Sequence, residues 1–193
     1  MTTIHSSYAN LDISRNRFAS PSMTFPTTPA FIVSDAKGWK DVTAHPVMAW
    51  MQESMERIAD WTDRDELDYT IFFTSDFKYQ RMNGMTYSGE NAWIEIDVIY
   101  AVFAEAKHEP SGTVVAWETE KGWEMMGQFF MWANLRGPPT PLSKGDSWAI
   151  DSEGREWDRT GLAMFYFKFV KDPSALHGGL HINECRMWAE WEV

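Results

Sequence analysis

Asp97 is the residue whose sequence surroundings most suggest chemistry. On a helical wheel it falls between Trp93, Tyr100 and Ala104, with Ile96 and Phe103 nearby, on the most aromatic face of its segment. A carboxylate facing an apolar cavity has its charged form disfavoured, which lifts its pKa toward a useful general acid or base. The plainer role is a structural hydrogen-bond acceptor. His108 has the pKa range for proton shuttling, or else caps a helix end just before Pro110. Tyr166 is a candidate proton donor, or else an interfacial aromatic with its hydroxyl satisfied.

Candidate binding residues follow from alternation. A tight hairpin at Lys121-Gly122 pairs Glu118 with Met125, Ala116 with Gly127 and Val114 with Phe129 on one sheet face. The opposite face then carries Val115, Trp117, Met126, Gln128, Phe130, Trp132 and Asn134. Aromatics interleaved with two amides suit a ligand cavity, where a few polar groups orient an apolar body. Trp117, Gln128, Phe130, Trp132 and Asn134 are therefore candidate substrate contacts, together with Tyr79, Trp93, Tyr100, Met164 and Arg186. The Ala116/Gly127/Phe129 face suits close packing or a dimer; the reverse assignment of the two faces stays open. In the last strand Glu184, Arg186, Trp188 and Glu190 share a face, a charge ladder most at home on a surface.

His177, His181 and Glu184 have the residue types of a metal triad. Gly178-Gly179 between them makes a loop rather than a rigid face, so no metal is expected. The chain has no phosphate-cradling glycine loop, no Gly-x-Ser-x-Gly elbow and no dinucleotide fingerprint, so no cofactor is expected.

The elements that must position these residues read in order. Residues 1–37 form an arm rich in Ser, Thr and Pro, and residues 38–193 a single domain. Val47, Trp50, Met51, Met55 and Ile58 recur at helical spacing, which predicts a helix from Pro46 to about Asp60. An acidic run to Asp68 follows, then an extended segment from Phe72 to Met82 closing at Asn83-Gly84. A second helix is expected from Glu90 to about Ala106, apolar almost all round and hence buried, ending before Pro110. From Thr113 the pattern is of strands: 113–119, 123–135, 159–170 and 182–193, with a long polar loop from Gly137 to Asp151. Helices first and antiparallel strands afterwards mean α+β, with the helices on one side of a curved sheet.

Composition narrows the partners. The 193 residues carry a net charge of −11, which argues against nucleic acid and against an anionic membrane surface. One cysteine excludes an intramolecular disulfide framework. No segment approaches a membrane span, and a cytoplasmic protein is the expectation. Eleven Trp, twelve Phe and twelve Met exceed what a domain of this size needs merely to fold. Such a surplus lines either an apolar cavity or a subunit interface.

The order helix, short helix, extended arm, buried helix ending in His108-Glu109-Pro110, long hairpin and two final strands resembles the NTF2-like superfamily, and within it the SnoaL-like proteins. The resemblance spans residues 45–193 and is most specific from His108 to Gly137, with Glu118, Gly122-Trp123 and Asn134-Leu135. It implies a cone: a curved antiparallel sheet around the helices, an apolar pocket at the open end, and commonly a homodimer through the outer sheet face. The family's chemistries imply a cofactor-independent lyase or isomerase (dehydratase, cyclase or rearrangement catalyst) for a bulky hydrophobic secondary metabolite. The alternative is a non-catalytic binding or dimerisation module holding a lipophilic ligand. Fold alone does not decide between them.

Overall fold

Burial alternates along the long strands, and that alternation builds the architecture. The structure is a computed structural model that describes residues 30–59, 68–138 and 149–191. Its strands are β1 (Ala30–Lys37), β2 (Phe73–Gln80), β3 (Thr86–Ser88), β4 (Phe103–Thr119), β5 (Gly122–Leu135), β6 (Ala149–Ile150), β7 (Glu156–Trp157), β8 (Arg159–Lys171) and β9 (Leu180–Trp191). Seven of them form one sheet in the order β1-β4-β5-β8-β9-β2-β3, and β6 and β7 pair separately. All neighbours in the large sheet are antiparallel except β2 and β9, which run parallel, so the sheet is mixed rather than wholly antiparallel.

Helix α1 (Pro46–Ala59) matches the sequence pattern: Pro46 takes the first turn, and Val47, Met48, Trp50, Met51, Met55 and Ile58 are buried. Helix α2 (Glu90–Tyr100) is shorter than expected. The chain turns at Ala101–Val102 and then runs as β4, so His108-Glu109-Pro110 lies inside a strand and not at a helix end. Period-2 burial from Phe103 onward overrides the helical reading, and Pro110 is tolerated beside a register shift between Ser111 and Val114. Nor is α2 buried all round. Ala92, Ile96 and Tyr100 face the core while Ile94 and Val98 stay 49% and 55% exposed.

The hairpin closes with Thr119 opposite Gly122, which pairs Ala116 with Met125 and Val114 with Gly127. This is a two-residue slip from the expected register, and because the side-chain period is two, it leaves the face assignments intact. Gly122 holds the tip: a Cβ there would stand 2.2 Å from the Phe169 carbonyl oxygen of β8. The last eight residues of the arm form β1 along β4, so the sheet begins before residue 38, while residues 1–29 lie outside those described.

The core sits between α1, α2 and one face of the sheet. Ala116, Met125, Phe129, Met131, Phe165, Phe167, Phe169 and Ile182 are buried on that inner face. Each buried Phe contributes on the order of 2 kcal/mol.

Candidate active site

Strand β4 carries His108 inward, to where the last turn of α2 delivers Tyr100. The Tyr100 hydroxyl and His108 Nε2 are 2.7 Å apart, and both residues are buried. Burial alone pushes His108 down to about pKa 4, so its imidazole is neutral at physiological pH. Its ring meets Tyr100 and Phe165 edge-on, and its Nδ1 has no hydrogen-bond partner among the described residues. The His108 carbonyl accepts a 2.7 Å hydrogen bond from Trp39 Nε1, which fixes the strand at this point.

Tyr100 also lines a cleft of about 30 Å³ between the helices and the sheet. Met55, Ile58 and Ile96 close it from the helices, and Tyr79, Phe165, Phe167, Cys185 and Met187 from the strands. Tyr79, Tyr100 and Cys185 are the lining residues that carry a hydroxyl or thiol, and the lining surface is almost wholly apolar. Burial raises the pKa of both Tyr79 and Cys185, which keeps them protonated. A volume of this size holds about one water molecule. The wide hollow anticipated from the Trp and Met surplus is thus filled here by the protein's own side chains.

The structure brings together some of the residues expected from sequence and separates others. His108, Tyr100 and Tyr79 share the inner side. Trp93 is half-buried on α2 beside Tyr69 and Phe73. Asp97 is half-buried on α2 and does not line the cleft, because the inward stripe of that helix is Ala92, Ile96 and Tyr100.

The sheet faces are the reverse of the assignment favoured from sequence. Trp117, Gln128, Phe130, Met164, Tyr166 and Arg186 point away from the helices, since their strand neighbours Ala116, Phe129, Phe165 and Cys185 fill the core. On that outer face Gln128, Met164 and Trp188 form one cross-strand row, Met126, Tyr166 and Arg186 the next, and Glu124, Lys168 and Glu184 a third. Arg186 stacks over Tyr166 at 5.2 Å and bonds Glu184 through Nε at 2.6 Å. Burial, reinforced by the charges of Glu124 and Glu184, pushes Tyr166 up to about 12. Tyr166 therefore has no access to the Tyr100–His108 pair.

Trp132 and Asn134 have structural partners on the outer side. Trp132 donates to Glu109 Oε2 at 3.0 Å, and Asn134 accepts from the Asp158 backbone N–H at 3.1 Å. Around Trp132 the β6–β7 hairpin is clamped to β4 by Lys107, whose Nζ lies 2.9 Å from Glu109, Asp151 and Glu153. Asp151 accepts in addition from Trp157 Nε1 at 3.0 Å. The cleft-lining Met55, Phe165, Phe167, Cys185 and Met187 were not singled out from sequence. The signal for Phe165 and Phe167 was the alternation of β8, legible once the inner face is known.

Among the described residues no group of three or more His, Cys, Asp or Glu is placed to hold a metal. His181 pairs instead with Asp172, Nδ1 to Oδ2 at 3.4 Å, and the His177 side chain lies outside those described. Among the described residues no helix is long and apolar enough to cross a membrane.

No protein-family model matches the chain. No curated protein matches it either. Solved structures do resemble it. A candidate scytalone dehydratase from Novosphingobium aromaticivorans superposes with a TM-score of 0.52 at 10% identity, covering 80% of this chain and 91% of that one. A hexachlorocyclohexane dehydrochlorinase, LinA-type3, from Novosphingobium barchaimii gives 0.49 at 10% identity, over 79% and 90%. An NTF2-like superfamily protein from Salmonella enterica serovar Typhimurium gives 0.44 at 12% identity, over 76% and 95%.

Proposed function

We propose that this chain, which has the NTF2-like cone fold, is a cofactor-independent lyase or isomerase acting on a small hydrophobic metabolite. The observation that carries the reading is the buried 2.7 Å contact between the Tyr100 hydroxyl and His108 Nε2 at the wall of an apolar cleft. A neutral imidazole behind a phenol makes a two-step proton relay. The Tyr100 oxygen removes a proton from a carbon next to a carbonyl while its own proton passes to Nε2, leaving an enolate and an imidazolium. The same proton then returns through Tyr100, either to another carbon of the substrate or to a departing hydroxyl. The first outcome is an isomerisation and the second a dehydration.

The cleft must widen to admit a substrate. Met55 and Met187, unbranched and adaptable, are the side chains suited to give way. Substrate held there is shielded from water, which strengthens the relay's electrostatics.

The test uses 2-tetralone, an apolar bicyclic ketone with exchangeable α-protons, in D2O. The native chain should incorporate deuterium faster than buffer alone, and Tyr100→Phe should slow incorporation by about 100-fold. An unchanged rate in a Tyr100→Phe chain with native circular dichroism would remove the pair from catalysis. The cleft's small volume favours a second reading, a non-catalytic module in which the pair only completes the core. Under that reading 2-tetralone perturbs tryptophan fluorescence without exchanging its protons.

A further inference from the structure

A second concavity, of about 420 Å³, shares no lining residue with the cleft. It lies where the start of α1, the tip of the β4–β5 hairpin and the turn between β8 and β9 meet. Trp50, Trp123, Pro46, Val47 and Leu180 line it, with Lys171. Lys171 is already paired with Glu118, Nζ to Oε1 at 2.8 Å, so the groove offers apolar and aromatic surface without an unpaired charge among these residues. Trp50 is 6% exposed, and its indole N–H has no acceptor among the described residues.

The chain itself leads to this place. Strand β1 starts at Ala30, opposite Trp117 and antiparallel to β4. The first residue of β1 therefore lies near the hairpin tip, where the Lys171 backbone N–H bonds the Lys121 carbonyl at 2.9 Å. Two ring contacts join β1 to the groove wall: Phe31 to His45 at 4.7 Å, and His45 to Trp123 at 4.8 Å. Immediately before Ala30 the sequence reads Pro26-Thr27-Thr28-Pro29, and no charged residue occurs between Phe18 and Ser34. Two prolines three residues apart suit the left-handed polyproline helix, whose ridges seat in grooves lined by aromatic rings. At about 3.1 Å per residue, the four steps from Ala30 back to Pro26 span about 12 Å.

We propose that this groove is the docking site for the chain's own Pro26–Pro29 segment. The site is independent of the Tyr100–His108 relay and stands whether or not that relay turns over a substrate.

The test compares the full native chain with the full chain carrying Pro26→Ala and Pro29→Ala. The readout is the indole N–H resonances of Trp50 and Trp123, assigned through Trp50→Phe and Trp123→Phe. Both resonances should shift in the double variant while those of Trp132, Trp157 and Trp188 stay in place. A synthetic peptide of residues 20–29 should return them toward their native positions. The same two resonances should be unaffected by serial dilution of the native chain. Indole resonances identical in both chains would overturn the proposal, as would shifts confined to Trp188 and Trp132, which put the leader on the outer sheet face. Shifts that vanish on dilution would also overturn it, by assigning the groove to the leader of a second copy.

Discussion

His108 differs from an ordinary histidine in one respect: burial holds its pKa near 4 rather than 6.5. Between those values the unfolded chain binds the proton and the folded chain does not. Its contribution to stability is therefore complete above about pH 6.5 and is lost as pH falls toward 4, on the order of 3 kcal/mol in all. Replacing His108 by Gln should flatten the dependence of the urea midpoint on pH across that window. The catalytic reading adds a second expectation. A base must be neutral to accept a proton, so deuterium incorporation into 2-tetralone should keep its acid limb near pH 4. An acid limb near 6.5 would mean that a different, exposed histidine acts.

At the scale of elements, β4 does the most to shape the molecule, because its two faces serve different structures. Ala106 and His108 face the core, while Lys107 and Glu109 hold the β6–β7 hairpin on the opposite side. Burial pushes Asp151 up, but hydrogen bonds from Lys107, Trp157 and the backbone N–H groups of Arg155 and Glu153 outweigh it and hold the carboxyl down at about 2. The stabilisation is present above the ordinary value of 3.8 and lost as pH falls through 2, worth on the order of 2 kcal/mol. Asp151→Asn should lower stability by about 2–3 kcal/mol at neutral pH, because it leaves Trp157 and Lys107 short of a charged acceptor. Thermal denaturation measures the loss. The Tyr100–His108 contact lies on the other face of β4, so 2-tetralone exchange should survive at temperatures where the variant is folded.

For the whole molecule, the outer sheet face is the surface that bears on assembly. Met126, Leu162, Met164 and Trp188 are exposed there, in rows that adjoin the Glu124–Lys168–Glu184 row. Apolar side chains beside charges of alternating sign make a surface complementary to its own copy about a two-fold axis. We expect a homodimer through this face, and Met164→Lys should convert it to a monomer in sedimentation equilibrium. Sedimentation unchanged by Met164→Lys would place any self-association elsewhere. The residues read from sequence as substrate contacts on this face, Trp117, Gln128, Phe130, Met164 and Arg186, lie on the surface where that homodimer is expected.

The chain's periodicities were enough to give α1, strands β5, β8 and β9, the second half of β4, the hairpin and the α+β class, because 3.6- and 2-residue spacing of apolar side chains is a local property of the sequence. Alternation also sorted Trp117, Gln128 and Phe130 from Ala116, Gly127 and Phe129. It could not say which set faces inward, since both sets are apolar and only the position of α1 and α2 breaks the tie. The end of α2 was hidden for a related reason. Residues 101–106 are acceptable in a helix, and it is the turn at Ala101–Val102 and the pairing of Phe103–Ala106 with Ala133–Leu135 on β5 that end it. The Tyr100–His108 contact depends on that switch: in one continuous helix residues eight apart stand more than two turns from each other, and only the reversal at Ala101–Val102 folds His108 back against Tyr100.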